Sequence, residues 1–223
     1  MPAAPAHAAT RVGLDPSKES SEKVMTVGIL LAAGAGRRFG TGQARHKLRQ
    51  PLAGYRRRGV VSVARATLDA LAEGVPRVVV VTRPELVDLF FDAEATVIVN
   101  DRPDEGLSRS IALGIGATRD ADGWLLLPAD LPTVAPETVI QTRRALERDG
   151  GIVRPVCDGR PGHPVGFDAS FGAALTTLVG DRGAQPLIVA HPGVLSTIET
   201  DDHGCIRDVD TPEDLAALRR SVG

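Results

Sequence analysis

Runs of β-branched and aliphatic residues, each short enough to be a strand, alternate along this chain with stretches whose apolar residues recur every three and four positions. That alternation admits few folds, because strand, helix and strand repeated in order build a parallel sheet covered by its own crossover helices. Strands are expected at 25–31, 77–81, 96–100, 123–127 and 152–156, and helices at 60–73, 84–91, 107–119 and 136–148. The candidate strands are continuously apolar, as in Val78-Val79-Val80-Val81 and Leu125-Leu126-Leu127, which is the pattern of strands buried on both faces. A doubly wound α/β sandwich follows. Beyond 156 the rhythm changes: an extended piece at 164–167 follows a Gly/Pro-rich turn, and helices are expected at 171–179 and 211–220. The helix at 136 opens on a proline suited to a first helical position, and Thr133 is the nearest hydroxyl for its cap.

At 223 residues the chain suits one domain, expected at 24–223, that buries a full core without disulfides or a structural metal. Residues 1–23 combine Ala, Pro and Ser with scattered charges and lack the basic start and apolar centre of a secretory signal, so they read as a disordered tail. A net charge of -2 gives no general attraction to a polyanion, and nucleic acid is not an expected partner. No apolar run approaches bilayer length, so no membrane partner is expected either. Cys157 and Cys205 lie far apart with no CxxC spacing and read as free thiols of a reducing compartment, which points to the cytoplasm.

The stretch Leu31-Ala32-Ala33-Gly34-Ala35-Gly36-Arg37-Arg38-Phe39-Gly40 follows an apolar strand directly, at the sheet edge where ligands collect in open α/β folds. Glycines let backbone amides approach phosphate oxygens, and Arg37, Arg38 and Lys47 add balancing charge. The spacing is not the dinucleotide fingerprint, since three residues separate Gly36 from Gly40 where GxGxxG has two, and no GxxxxGK[ST] occurs. Lys47 stands out in composition: the other two lysines, Lys18 and Lys23, lie in the tail. A compact ammonium is a point charge suited to phosphate oxygens.

These motifs resemble the MobA-like nucleotidyltransferases. The likeness is carried by Leu31-Ala-Ala-Gly-x-Gly-x-Arg38-Phe-Gly40 with Lys47, by Asn100 followed by Gly106-Leu107-Ser108-Arg109-Ser110, and by Leu127-Pro128-Ala129-Asp130-Leu131-Pro132. Gly162-His163-Pro164-Val165, Gly180-Asp181-Arg182-Gly183-Ala184 and Asp208-Val209-Asp210-Thr211-Pro212 favour the molybdenum cofactor cytidylyltransferase branch, as does Ala33, whose methyl would crowd a purine more than a pyrimidine. The stretch from Gly40 to Lys47 is longer than usual for the family, and Gln185 stands where the branch commonly has arginine. The resemblance implies a Rossmann-like three-layer sandwich of the nucleotide-diphospho-sugar transferase type, with a mostly parallel sheet. It also implies that Leu31 to Arg37, Lys47, Gly106, Ser108 and Ser110 bind the nucleotide.

Asp130 ends an apolar strand, so its carboxylate is presented at the same edge as the glycine loop, where a magnesium ligand belongs. Asp208 and Asp210 are two apart and share a face if extended; alternation does not choose between them, and Asp210 also suits a cap for the last helix. The resemblance favours Asp210 as the second Mg²⁺ ligand. The implied reaction is transfer of CMP from CTP to the phosphate of molybdopterin, with Lys47, Arg38 and Asp130 catalytic and pyrophosphate released. An ionised phosphate nucleophile needs no general base, and neither a GxSxG elbow nor an HExxH pair is present. His163, Arg160 and Asp181 are the acceptor-side candidates, with Arg154 in reserve, and a molybdenum enzyme is a possible client. The Arg56-Arg57-Arg58 run reads as a solvated face. The nucleotide half is better specified than the acceptor half. GTP, a sugar or alditol phosphate, or a non-catalytic role holding nucleotide or cofactor therefore stand as alternatives.

Overall fold

The computed structural model describes residues 26–36, 39, 46–53 and 59–222. The strand β1 (Thr26–Ala32) is buried at all seven positions. The strands β4 (Arg77–Thr82) and β6 (Gly123–Pro128) flank it in parallel, with Val27 level with Arg77 on one side and Trp124 on the other. On one side β5 (Thr96–Val99) extends the sheet in parallel. On the other, β9 (Val165–Asp168) runs antiparallel between β6 and β7 (Ile152–Cys157), and β10 (Leu195–Glu199) lies parallel to β7 at the far side. The short β8 (Arg160–Pro161) folds back on the end of β7.

The single reversal has a local cause. Asp158 and Gly159 both take positive φ, 51° and 70°, which turns the chain sharply after β7. The path from Cys157 to Val165 is then too short for a parallel crossover, which needs about a dozen residues. The sheet is therefore mixed but mostly parallel, in the order β10-β7-β9-β6-β1-β4-β5.

Alternate strand residues feed two cores. Leu30, Val80, Leu125 and Leu127 pack beneath α1 (Val63–Gly74), α3 (Pro136–Asp149) and α6 (Pro212–Val222). Ile29, Val79, Val81 and Leu126 pack beneath α2 (Leu107–Gly116), α4 (Gly172–Thr176) and α5 (Gln185–Ala190). Each fully buried aliphatic side chain contributes about 1.5–3 kcal/mol, so the two cores together position the sheet edge that carries the polar residues. Glycine permits the closest approach between α1 and α3, since a Cβ on Gly74 would lie 2.4 Å from Val139 Cγ1.

Several expectations need correction. The helix expected at 60–73 begins as a strand: β3 (Val60–Ser62) pairs antiparallel with β2 (Pro51–Ala53), and α1 starts only after Ser62, whose side chain accepts from Arg65 N. Residues Pro84–Phe90 form a 3-10 helix rather than an α-helix. The helix expected at 171–179 shortens to α4, while α5 and β10 lay outside the expected pattern altogether. The tail at 1–23 and the Arg56–Arg58 run lie outside the described residues.

The cap of α3 is also supplied from elsewhere. Thr133 does not serve; instead Asp202 accepts from Ala135 N at 2.8 Å and from Thr138 Oγ1 at 2.7 Å, and its other oxygen accepts from Gly204 N at 2.9 Å. This one carboxylate ties the start of α3 to the segment leading to α6. Asp202→Ala is expected to lower unfolding stability by about 1–3 kcal/mol. Urea titration should show a lower midpoint at unchanged slope; an unchanged midpoint would mean the cap is not holding the two segments together.

Candidate active site

After β1 the chain turns through Ala33, Gly34, Ala35 and Gly36 along one wall of a cleft of about 450 Å³. Gly34 and Ala35 are exposed and line the cleft, whereas Leu31 and Ala32 are core residues and Leu31 O accepts from Ala129 N at 3.1 Å. Arg37, Arg38 and Gly40 lie outside the described residues.

His46 fixes the loop relative to Lys47. Its Nδ1 accepts from Leu48 N at 3.2 Å and caps the 3-10 turn Lys47–Arg49, which leaves Nε2–H to donate to Gly34 O at 2.9 Å. Only a neutral ring can do both. Burial, outweighing the bond to Gly34, holds the His46 pKa below the usual histidine value. Gly36 lies against the ring at φ 59°, where a Cβ would come within 2.9 Å of Nε2. A side chain there would meet both strain and contact.

Lys47 is itself buried, and its ammonium sits between two carboxylates, 2.6 Å from Asp130 Oδ2 and 2.5 Å from Asp210 Oδ1. Burial pulls its pKa down, but attraction and hydrogen bonding from Asp130 and then Asp210 outweigh that and hold it above the ordinary lysine value. Asp130 follows β6 at the sheet edge. The second acid comes from the opposite end of the chain: Val209 is buried and donates from its N to Asp130 O at 2.9 Å, so the residues on either side of it flank Asp130. Ligand oxygens of Asp130, Asp208 and Asp210 all lie within 4.8 Å of one another. Desolvation and then the charge of Asp130 raise the Asp208 pKa. Asp210 does not cap α6. Thr211 Oγ1 accepts from Asp214 N at 3.1 Å, and the Asp214 carboxylate reaches back to Thr211 N at 2.8 Å.

Across the cleft, Gly106 opens α2 at φ 98°, and a Cβ there would strike Gly180 O at 2.5 Å. Ser108 is not a cap; its N donates to Gly180 O at 3.1 Å, and its buried Oγ has no hydrogen-bond partner. Ser110 Oγ accepts from Asn100 Nδ2 at 3.0 Å, while Asn100 Oδ1 accepts from Arg109 Nε at 2.9 Å. The three acceptor-side candidates are not brought together. Asp181 lines the cleft beside Gly106, whereas Arg160 lines a separate depression with His203, Arg207 and Asp208. His163 stands near Asp130, its N donating to Cys205 O at 2.9 Å; burial, reinforced by the Arg154 charge, pushes its pKa down to about 4.

A loop of backbone amides above a lysine and three convergent carboxylates is equipment for a polyphosphate and a hard cation. Residues 28–194 match the MobA-like NTP transferase domain. The chain belongs to this family. Among the family's relatives, the chain is 29% identical over 202 residues to a nicotine blue oxidoreductase of Paenarthrobacter nicotinovorans (86% of this chain, 95% of that one). It is 28% identical over 209 residues to the purine catabolism protein PucB of Bacillus subtilis (88% and 97%). Over 136 residues it is 28% identical to a probable molybdenum cofactor guanylyltransferase of Bacillus subtilis (60% and 62%). In structure it resembles the Rv0371c homolog from Mycobacterium sp. strain JC1, with TM-score 0.75 at 25% identity over 88% of this chain and 96% of that one. As a MobA-like protein it is a nucleotidyltransferase with the three-layer sandwich of that class.

Sequence reading missed His46, whose two hydrogen bonds depend on a loop geometry that no spacing reveals, and it missed Val209 as the anchor of the acid pair. Burial of two histidines also sets a pH dependence. Both His46 and His163 bind a proton less readily folded than unfolded, so stability is full above the unfolded value of 6.5 and falls as pH drops below it, for His163 down to about 4. In denaturant titrations over that window, His163→Gln is expected to lose less stability per pH step than the wild type. Identical slopes would contradict a buried, neutral His163.

Proposed function

We propose that the protein transfers CMP from CTP to the phosphate of molybdopterin or its molybdenum form, using Mg²⁺. The observation that carries this reading is the Lys47 ammonium held between Asp130 and Asp210 at the foot of the glycine loop. An oxygen of the acceptor phosphate forms the new bond to the α-phosphorus of CTP, the bond to the β-phosphate breaks, and pyrophosphate leaves with the electron pair. Asp130 and Asp210, with Asp208 beside them, would hold the metal, which supplies charge neutralisation for the phosphates. The amides of Gly34 and Ala35 orient the triphosphate. Lys47 balances charge that builds on the departing oxygens, and Arg38 is assigned the same task. Gly106 and Ser110 border the nucleoside, and Ser108 lies buried behind them.

CTP is favoured over GTP by the Ala33 methyl, which is 5% exposed and lines the cleft. The relative named as a guanylyltransferase makes GTP the competing nucleotide. A second reading, oxidation or reduction of a small molecule on the same scaffold, is favoured by the relative named nicotine blue oxidoreductase.

The purified protein should bind CTP with Mg²⁺ more tightly than GTP in a thermal-shift panel that also contains nicotinamide nucleotides. With labelled CTP and the molybdenum cofactor it should release pyrophosphate. Lys47→Ala and Asp130→Ala are expected to remain folded by circular dichroism and to lose about a hundredfold or more in turnover. Wild-type rates in both variants would remove the site assignment; stabilisation by a nicotinamide nucleotide alone would favour the redox reading.

A further inference from the structure

Cys157 ends β7, and Asp158 and Gly159 make the turn that follows it. The 3-10 segment His203–Ile206 comes back to this turn, bringing His203 in from 46 residues away. Its Nδ1 lies 3.6 Å from Cys157 Sγ, and its Nε2 lies 3.2 Å from Asp158 Oδ2. One donor atom from each of the three residues lies within 4.8 Å of the other two. None of the three belongs to the acid cluster of the cleft, and Cys205, although buried nearby in the chain, is not among the converging donors.

The hydrogen bonds of the imidazole decide what this group can hold. A carbonyl only accepts, so the contact between Nδ1 and Asp201 O at 3.0 Å makes Nδ1 the N–H of the ring. In the neutral ring Nε2 then carries its lone pair, and it faces a carboxylate oxygen. Two acceptors so placed repel unless a cation stands between them, and that cation is either a proton or a metal ion. A ligating histidine typically donates its second ring N–H to a backbone carbonyl, which is the arrangement at Asp201. Two donors about 2.0–2.1 Å from a tetrahedral ion stand about 3.3 Å apart, close to the separation of Nε2 from Asp158 Oδ2. An exposed His–Asp pair by itself would be an ordinary surface contact. Here a buried thiol against the ring adds a third ligand of a softer kind. Its surroundings are anionic: burial, then the charges of Asp158, Asp202 and Asp201, push the Cys157 thiol up. A divalent cation answers that surplus and displaces the thiol proton.

We propose that Cys157, Asp158 and His203 form a site for a borderline-soft divalent cation, Zn²⁺ by preference, separate from the all-oxygen cluster at Asp130. Thiolate and imidazole select such an ion, whereas carboxylates alone select a hard one. The sulfur releases its proton to solvent and binds, Nε2 gives its lone pair, one carboxylate oxygen of Asp158 binds, and water fills the fourth position. The His203 and Asp158 side chains are 58% and 70% exposed, and His203 lines a depression of about 220 Å³. The ion therefore enters from solvent and meets the buried sulfur last. Bound there, it ties the turn after β7 to the segment that holds the start of α3 through Asp202 and continues to Val209 at Asp130.

The test uses the full chain, freed of metal by chelation, with Co²⁺ and Zn²⁺ as probes and Mg²⁺ present to occupy oxygen sites. One equivalent of Co²⁺ should give a thiolate-to-cobalt charge-transfer band in the near ultraviolet, together with the strong visible bands of a four-coordinate ion. Added Zn²⁺ should abolish both. Zn²⁺ at about a hundredfold over its Kd should raise the melting temperature by about 5 °C or more. His203→Gln changes an exposed side chain, and Asp158→Asn keeps a residue that tolerates positive φ, so both should fold. Each should weaken Zn²⁺ binding by about tenfold or more in calorimetry. Cys157→Ser should lose the charge-transfer band, and Asp130→Ala should keep it. The proposal fails if the wild type gives no such band, or if the band survives Cys157→Ser or vanishes with Asp130→Ala. It fails equally if His203→Gln binds Zn²⁺ as tightly as the wild type, which would reduce the group to a surface ion pair beside a buried thiol.

Discussion

Three carboxylates converge within 4.8 Å of one another beside a single ammonium, and like charges at that distance repel unless something draws them together. Lys47 balances one of them. With all three ionised, two negative charges remain in surplus, a local field that a divalent cation answers directly. Burial first, and then the charge of Asp130, raises the Asp208 pKa. A cluster of this kind costs free energy to assemble, and it persists because backbone contacts hold its members. The bond from Val209 N to Asp130 O brings residues 208 and 210 to the end of β6 whatever their charges prefer.

The same logic explains the other wall of the cleft. Lys47 reaches the acids from a 3-10 turn whose position depends on His46, and His46 is held by Gly34 O on one side and Leu48 N on the other. Gly36 leaves room for the ring at a φ that other residues rarely adopt. The glycine loop and the lysine are thus one mechanical unit. Displacing the ring would loosen both. Opposite, Gly106 stands within contact of Gly180, so the α2 end of the cleft is fixed by a segment more than seventy residues away in sequence.

Much of this was legible in the chain before folding. Central strands read correctly because a strand buried on both faces must be continuously apolar, as at Val78–Val81. The glycine loop and Asp130 read correctly in position because each abuts such a strand. What stayed illegible shares a different property. The hairpin β2–β3 hid inside a helical pattern because Val60 and Val61 fit either periodicity. Asp202 as the cap of α3 sits 67 residues from Ala135, beyond any local rule. The choice between Asp208 and Asp210 was open because alternation puts both on one face, and the fold uses that fact by gathering both near Asp130. Arg160 and Asp181 were both acceptor-side candidates, yet Arg160 sits in the hairpin after β7 and Asp181 lines the cleft beside Gly106.

The reversal after β7 gives the sheet edge its direction. Had β9 run parallel, its start would lie at the opposite edge, and His163 could not stand near Asp130. By running antiparallel it places a strand beginning among strand ends, so the edge carries in lateral order the glycine loop, the acid cluster and the His163 turn. In-line transfer at phosphorus needs the leaving group and the nucleophile on opposite sides of the reacting centre. A sheet edge that keeps the glycine loop and the His163 turn on opposite flanks of its acids offers two sides of approach by topology alone. The tight turn after β7 is therefore as much a part of the site as the side chains that line it.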